Sequence, residues 1–380
     1  MAPNAATEPI VITGRALVSA LGTDVVTACA AARAGISRPG PLDHYKGGGS
    51  TQQRGGVPLT GHAAAGITQG FIGNIRLLRM LVAAFKALRA EHQLVSARAG
   101  VFVSFPDPLR TWSGTAAVVD DAERQERADE ARTAPRSEAQ AIAAELVSKA
   151  AQIAELPSTL NLCGVETCGH AGVARAIHSA SEALRIGRID VALVIGVDSL
   201  LDVDTLLWLE ASARLRTAER AAGLIPGEAC GILVLETAQA AARRGHTPYC
   251  TVEHIACADD QQNLLNAGAS TGAITAHLIH HSMEASAAPL WLLSDHNGEN
   301  ARASEWGNAL FHLTRITQAP IDPVVWFPAI SFGDTAAASA VIAICIASAA
   351  WARGYQPAKR AVITSISDGP ARAAITLSMT

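Results

Sequence analysis

His170 and Asp334 are the two side chains around which the chemistry of this sequence is read. Each follows a glycine, Gly169 or Gly333, and each precedes a run of small residues that reads as a buried helix. Each helix is followed by another glycine, Gly187 or Gly354, and then by an apolar strand, residues 190–196 or 361–364. A unit duplicated in this way can bring two helix N-termini, with their side chains, to face one cavity. The dipole of a helix N-terminus opposes positive charge and favours a neutral imidazole. His170 therefore suits a general base or nucleophilic catalyst, and it equally suits a polar residue kept in a site that no longer reacts. Asp334 suits either the orienting partner of a histidine or the N-cap of the helix that follows. His296 sits in Ser294-Asp295-His296-Asn297-Gly298, just after an apolar strand. Ligand sites of α/β sheets gather at such strand ends, although Asn297-Gly298 is also an ordinary turn pair. Cys168, the nearest thiol, reads as a buried, inert cysteine rather than a nucleophile.

The elements that must position these groups alternate between strand and helix. Strands are expected at residues 10–13, 100–104, 160–165, 190–196 and 230–236 in the first part. In the second part they are expected at 251–256, 290–293, 324–327, 362–365 and 373–377. Asp24 is expected to cap a helix running to about residue 34, and further helices are expected at 74–92, 137–154 and 201–213. Residues 47–50 read as a flexible loop, and 120–134 as a solvated helix or mobile loop. The alternation implies mainly parallel α/β layering. The natural division is 1–245 and 246–380, with no long linker between them.

The chain has 380 residues, of which 49% are apolar, 4% aromatic and 17% charged. That length suits two domains or one large duplicated one, and the low charge leaves little room for disorder. A net charge of −4 with no basic run gives no reason to expect a nucleic-acid partner. The seven cysteines have no metal-ligand spacing and are expected to be reduced thiols of a cytosolic protein. No P-loop, dinucleotide fingerprint, zinc motif or GxSxG elbow is present, so no cofactor or metal is expected. The opening residues lack a basic segment followed by an apolar one, so no signal peptide is expected. Residues 335–352 carry no charge, but their Ala- and Ser-rich composition, tightly bracketed by Asp334 and Arg353, reads as a buried core helix and not a membrane span.

Several motifs, taken in order, carry a family resemblance. They are Val11-Ile12-Thr13-Gly14 with Leu17-Val18-Ser19-Ala20-Leu21-Gly22, Glu182-Ala183-Leu184-Arg185-Ile186-Gly187, Asp190-Val191-Ala192-Leu193, Gly196-Val197-Asp198-Ser199, and Gly227-Glu228 with Val234-Leu235-Glu236. Over nearly the whole chain they resemble β-ketoacyl-ACP synthases. The resemblance implies the thiolase fold: α/β, five layers αβαβα, two pseudo-symmetric halves, and a dimer formed along the strand near residues 161–165. It also implies a site with a Cys nucleophile, two His and a nearby Lys. Counting along this chain places His170 at the nucleophile, Asp334 at the second His and Ala329 at the Lys. Ser367-Asp368-Gly369-Pro370 replaces the family's Gly-Phe-Gly-Gly loop. His296 falls at the first His position, and Asp295 could take it instead.

An imidazole cannot hold a stable acyl thioester, and a carboxylate at residue 334 would repel a malonyl carboxylate and its enolate. Standard decarboxylative condensation is therefore not expected. The implied function is a divergent acyltransferase acting on acyl-carrier-protein or coenzyme A thioesters. His170 would activate the acceptor, assisted by His296 and Asp334. The alternatives are a non-catalytic partner comparable to the chain-length factors that pair with an active ketosynthase, and a module that binds acyl-carrier protein. A homodimer or a heterodimer with a ketosynthase is expected.

Overall fold

The structure, a computed structural model, describes residues 8–45, 59–92, 98–108, 110, 134–157, 160–266, 270–283 and 290–380. The loop expected at 47–50 and nearly all of the charged segment 120–134 lie outside them.

Ten strands form one sheet: β1 (Ile10–Ser19), β2 (Ala99–Ser104), β3 (Leu160–Glu166), β4 (Val191–Ser199), β5 (Glu228–Thr237), β6 (Cys250–Asp259), β7 (Trp291–Ser294), β8 (Val324–Trp326), β9 (Arg360–Ile366) and β10 (Ala371–Ser378). Their order is β8-β7-β9-β10-β6-β1-β5-β4-β2-β3. Read outward from the centre, the two sides repeat one pattern, β1-β5-β4-β2-β3 against β6-β10-β9-β7-β8. They join where Ile10–Ile12 pair antiparallel with Cys250–Val252.

The sheet is mixed, which corrects the mainly parallel expectation. Three neighbouring strands on each side are parallel, while β1, β5, β6 and β10 pair antiparallel. The reason is local: β9 and β10 are joined by the tight turn after Ile366, and a short turn can only return a strand antiparallel.

The main helices are α1 (Val25–Arg33), α2 (Gly73–Glu91), α3 (Ala134–Ile153), α4 (Gly172–Arg185), α5 (Ala273–Met283), α6 (Asn300–Thr317) and α7 (Ser339–Arg353). Asp24 caps α1 by accepting from the Thr27 N–H at 2.7 Å, as expected.

Side-chain alternation along the strands creates the layers. On β4, Val191, Leu193 and Ile195 face one core with Leu81, Phe85 and Leu88 of α2 and Leu146 and Val147 of α3. Ala192 and Val194 face the opposite core with Ile177 of α4 and Ile344 of α7. That inner core continues to Leu293, Ile363 and Ile375 of the other half-sheet. The far face of that half-sheet is covered by Ile279 of α5 and Leu313 of α6. The result is α2/α3, half-sheet, α4/α7, half-sheet, α5/α6: the five-layer thiolase architecture.

Ala336–Arg353 is long and apolar enough to cross a membrane by length and composition, but 83% of it is buried inside the protein. Gly231 lets α7 lie close on the sheet, because a Cβ there would meet Val341. The chain places its most hydrophobic helix at the middle of the stack, where apolar burial at roughly 25 cal/mol per Å² is most complete.

Candidate functional site

The two twin-helix positions meet. A single turn of 3-10 helix, Gly169–Ala171, leads into α4, and another, Ala336–Ala338, leads into α7. His170 stands in the first turn, and Asp334 lies just ahead of the second. Gly333 has φ 73°, and a Cβ there would sit 2.8 Å from His62 Cδ2 and 3.0 Å from the Ile225 carbonyl, so the bend needs glycine. The bend is then held by Asp334 N–H donating to Ile225 O at 2.8 Å and Gly227 N–H donating to Asp334 O at 2.8 Å.

His170 Nε2 lies 2.9 Å from Asp334 Oδ1, and both side chains are buried. Arg302, in the first turn of α6, places Nη2 3.2 Å from His170 Nδ1. A guanidinium has only donors, so Nδ1 accepts and Nε2 carries the proton toward Asp334. Both ring nitrogens are therefore engaged. Asp334 Oδ1 also accepts from the Ala336 N–H at 2.9 Å, a bond two residues along the chain, so Asp334 is the partner of His170 but not the N-cap of α7, whose N-cap position is Ala338 and has no side-chain cap bond. Asn297 donates to Asp334 Oδ2 at 2.6 Å and to Glu299 Oε2 at 2.7 Å.

The network continues through charge. Arg302 Nη2 donates to Asp368 Oδ1 at 3.0 Å, and its Nη1 donates to the Ile366 carbonyl and lies 3.4 Å from Asp295 Oδ2. Arg214 forks between Glu299 (2.6 and 2.9 Å) and Asp368 (2.9 Å to each oxygen). Two guanidinium groups thus sit among four carboxyl groups, those of Asp295, Glu299, Asp334 and Asp368.

Burial alone would raise the Asp334 pKa, but His170 and Arg302 outweigh it and hold that carboxyl far below the usual range. Burial likewise opposes ionisation of Asp368, and Arg214 and Arg302 reverse the sign. Asp295 goes the other way: burial raises its pKa, and Arg302 only partly offsets that. The void bordered by His170, Asp334, Arg214 and Asp368 is about 20 Å³, as is a second void lined by Asp295, Ala329, Phe332 and Asp334. Each has room for roughly one water, not for an acyl group.

The structure therefore brings His170 and Asp334 into one chamber. It does not bring His296 to them. The His296 ring packs edge-on against Phe327 with centroids 5.6 Å apart, and its Nδ1 is buried without a partner. Burial lowers its pKa. The groups that reach His170 and Asp334 are instead Arg302 and Asn297. The cause is the strand end: Asp295 turns inward, its Oδ2 accepting from the Ile366 N–H at 2.7 Å, which leaves the next side chain on the other side.

The Cys168 thiol is pushed up to about 12 by burial, so it stays protonated. Arg302, Arg214, Asp368, Glu299 and Asn297 were missed as site residues. Asn297 reads locally as a turn residue and Asp368 as part of a replaced loop. The available signal was Glu299 and Arg302, three apart at the start of a helix, in a chain with few charges to spare.

Residues 79–241 match the family model described as the β-ketoacyl synthase N-terminal domain. That match covers less than half of the chain; what the whole chain shares with ketosynthases is the fold. No curated protein matches this chain. Among solved structures it is similar to the ishigamide ketosynthase/chain length factor, with 17% identity and a TM-score of 0.74 over 99% of this chain and 100% of that one. It is also similar to a type II polyketide synthase acyl-carrier protein in complex with its ketosynthase bound to the hexaketide, with 15% identity and a TM-score of 0.70 over 98% and 100%. A third similar structure is the ketosynthase from module 6 of the bacillaene synthase of Bacillus subtilis 168, with 12% identity and a TM-score of 0.69 over 98% and 72%. At these identities the likeness is one of fold.

Proposed function

We propose that this chain is a non-catalytic, chain-length-factor-like subunit that pairs with a Cys-bearing ketosynthase in the cytoplasm. The halves 1–245 and 246–380 then serve as scaffold for that heterodimer. The observation that carries the reading is the engagement of both His170 nitrogens, by Asp334 and by Arg302, in a chamber with room for about one water. A base needs a free lone pair beside the proton it takes, and here that lone pair faces a guanidinium. A chamber holding more carboxyl groups than guanidinium groups also disfavours an anionic malonyl group. In this reading His170 replaces the nucleophile of the family, and Arg302 plugs the space a substrate would use.

β3 is a sheet edge, paired on one side only, by β2. Its half-exposed residues support the expectation that a partner subunit pairs there. Coexpression of the tagged chain with a Cys-nucleophile ketosynthase from the same source tests this. A stable one-to-one complex is expected, with no acyl adduct on this chain by intact-protein mass spectrometry after exposure to malonyl- and acetyl-carrier-protein thioesters. A homodimer that turns these thioesters over by itself sinks it.

A second reading, acyl transfer from a carrier-protein or coenzyme A thioester by His170 with Asp334, keeps one observation in its favour: the 2.9 Å imidazole–carboxylate pair. It requires Arg302 to leave Nδ1. His296 has no part in it, since its ring lies against Phe327. Transfer activity abolished in His170→Ala and raised in Arg302→Ala would favour this reading.

A further inference from the structure

Away from this chamber, a second group of imidazoles gathers on a carboxylate. Glu236 lies on β5 and is fully buried. His92 ends α2, and His246 belongs to the connection between β5 and β6. One ligand atom from each of the three residues lies within 4.8 Å of the others. His246 Nδ1 is 3.0 Å from Glu236 Oε1, His92 Nε2 is 4.0 Å from the same oxygen, and the two rings are 4.6 Å apart. The carboxylate is oriented by its neighbours. Arg244 holds Oε2 at 2.5 Å, and the Thr13 hydroxyl donates to Oε1 at 2.7 Å. His92 Nδ1 is buried with no partner, and the His246 side chain is 25% exposed, which gives an ion a way in.

We propose that His92, Glu236 and His246 bind a late first-row divalent cation, zinc above all. Two nitrogen donors and one carboxylate oxygen suit zinc, copper or nickel. Magnesium and calcium demand a shell of oxygens. Zinc–ligand bonds of about 2.0–2.2 Å draw the three atoms inward from their present spacing. Binding replaces the hydrogen bond between His246 Nδ1 and Oε1, any proton on that nitrogen leaving to solvent, and solvent on the His246 side supplies the fourth position. Thr13 and Arg244 then act as the hydrogen-bonded surround that orients the carboxylate. The ion clasps the end of α2 and the link between the two half-sheets onto β5.

The test uses the full chain, stripped with a chelator and titrated with zinc chloride against a chromophoric competitor, and separately loaded with cobalt(II). The expected result is one zinc per chain and weak visible cobalt bands without a thiolate charge-transfer band. Affinity is expected to fall at least tenfold in His246→Ala and about 10–100-fold in Thr13→Val, and to stay unchanged in His254→Ala, an exposed histidine elsewhere. His246 is partly exposed, so its removal leaves the fold intact, and the cobalt spectrum of the unaltered chain needs no variant at all. Zinc affinity unchanged in His246→Ala, equal competition by magnesium, or a thiolate band overturns the proposal.

Discussion

Two clusters in this chain are assembled from the same parts, histidine, carboxylate and arginine, and they do opposite things. In the His170 cluster both ring nitrogens have partners, and Arg302 lies between the imidazole and Asp368. In the His92–Glu236–His246 cluster the arginine stands on the far carboxylate oxygen, and one imidazole nitrogen is unpartnered. In the first cluster the imidazole has no free lone pair, although Arg302 Nε and Asp295 Oδ1 are buried without a hydrogen-bond partner. The second is arranged for a ligand. The difference is where the guanidinium sits: against the ring it consumes the lone pair, and behind the carboxylate it leaves the ring free. A buried network with its members paired rigidifies a core, whereas an unpaired buried polar atom has to be accounted for.

The largest effect on this contrast should come from Arg302→Leu. It leaves the buried carboxylates around residue 302 without their cation, a change expected to cost ~3–5 kcal/mol, read as a lower denaturant midpoint at unchanged slope. A loss below about 1 kcal/mol would show that the carboxylates did not depend on it.

Next comes acid sensitivity. In the folded chain Asp334 and Asp368 stay ionised below the pH at which an unfolded carboxylate takes up its proton, about 3.9. Unfolding therefore takes up protons in that window. The stability these two contribute is whole above about pH 4 and is lost as the pH falls toward their folded values. Asp295, raised by burial, has the opposite sign: its contribution is whole in acid and is lost as the pH rises through its folded value. Asp334→Asn should flatten the acid limb of a stability–pH curve and cost roughly 1–3 kcal/mol near neutrality. An acid limb identical to that of the unaltered chain would contradict the assigned depression.

The smallest effect should be that of Asn297→Ala, which removes one bridge between Asp334 and Glu299. About 1 kcal/mol is expected by thermal or chemical denaturation, with zinc binding at the second cluster untouched. Coupling between the two clusters in a double-mutant cycle would mean they are not independent.

Much of the scaffold was legible in the residues. The duplicated run of glycine, polar residue, small-residue helix and apolar strand appears as two turns feeding α4 and α7. The placement of the uncharged stretch at the core followed from its Ala-rich composition. The site was legible only in part. His170 and Asp334 announced themselves because each opens a helix, and helix starts are local features. His296 was misplaced because a strand end leaves open which of two adjacent residues turns inward, and here Asp295 does.

By itself the sequence determined periodicity, caps, the repeat and the two residues that mark its start, because these depend on neighbours a few positions apart. Only the tertiary structure decided which charges meet. Arg302 reaches His170 across 132 positions, and Glu236 collects His92 from 144 positions upstream. Electrostatic partners are chosen by distance in space within a medium of low dielectric, and no local pattern encodes a distance set by five packed layers.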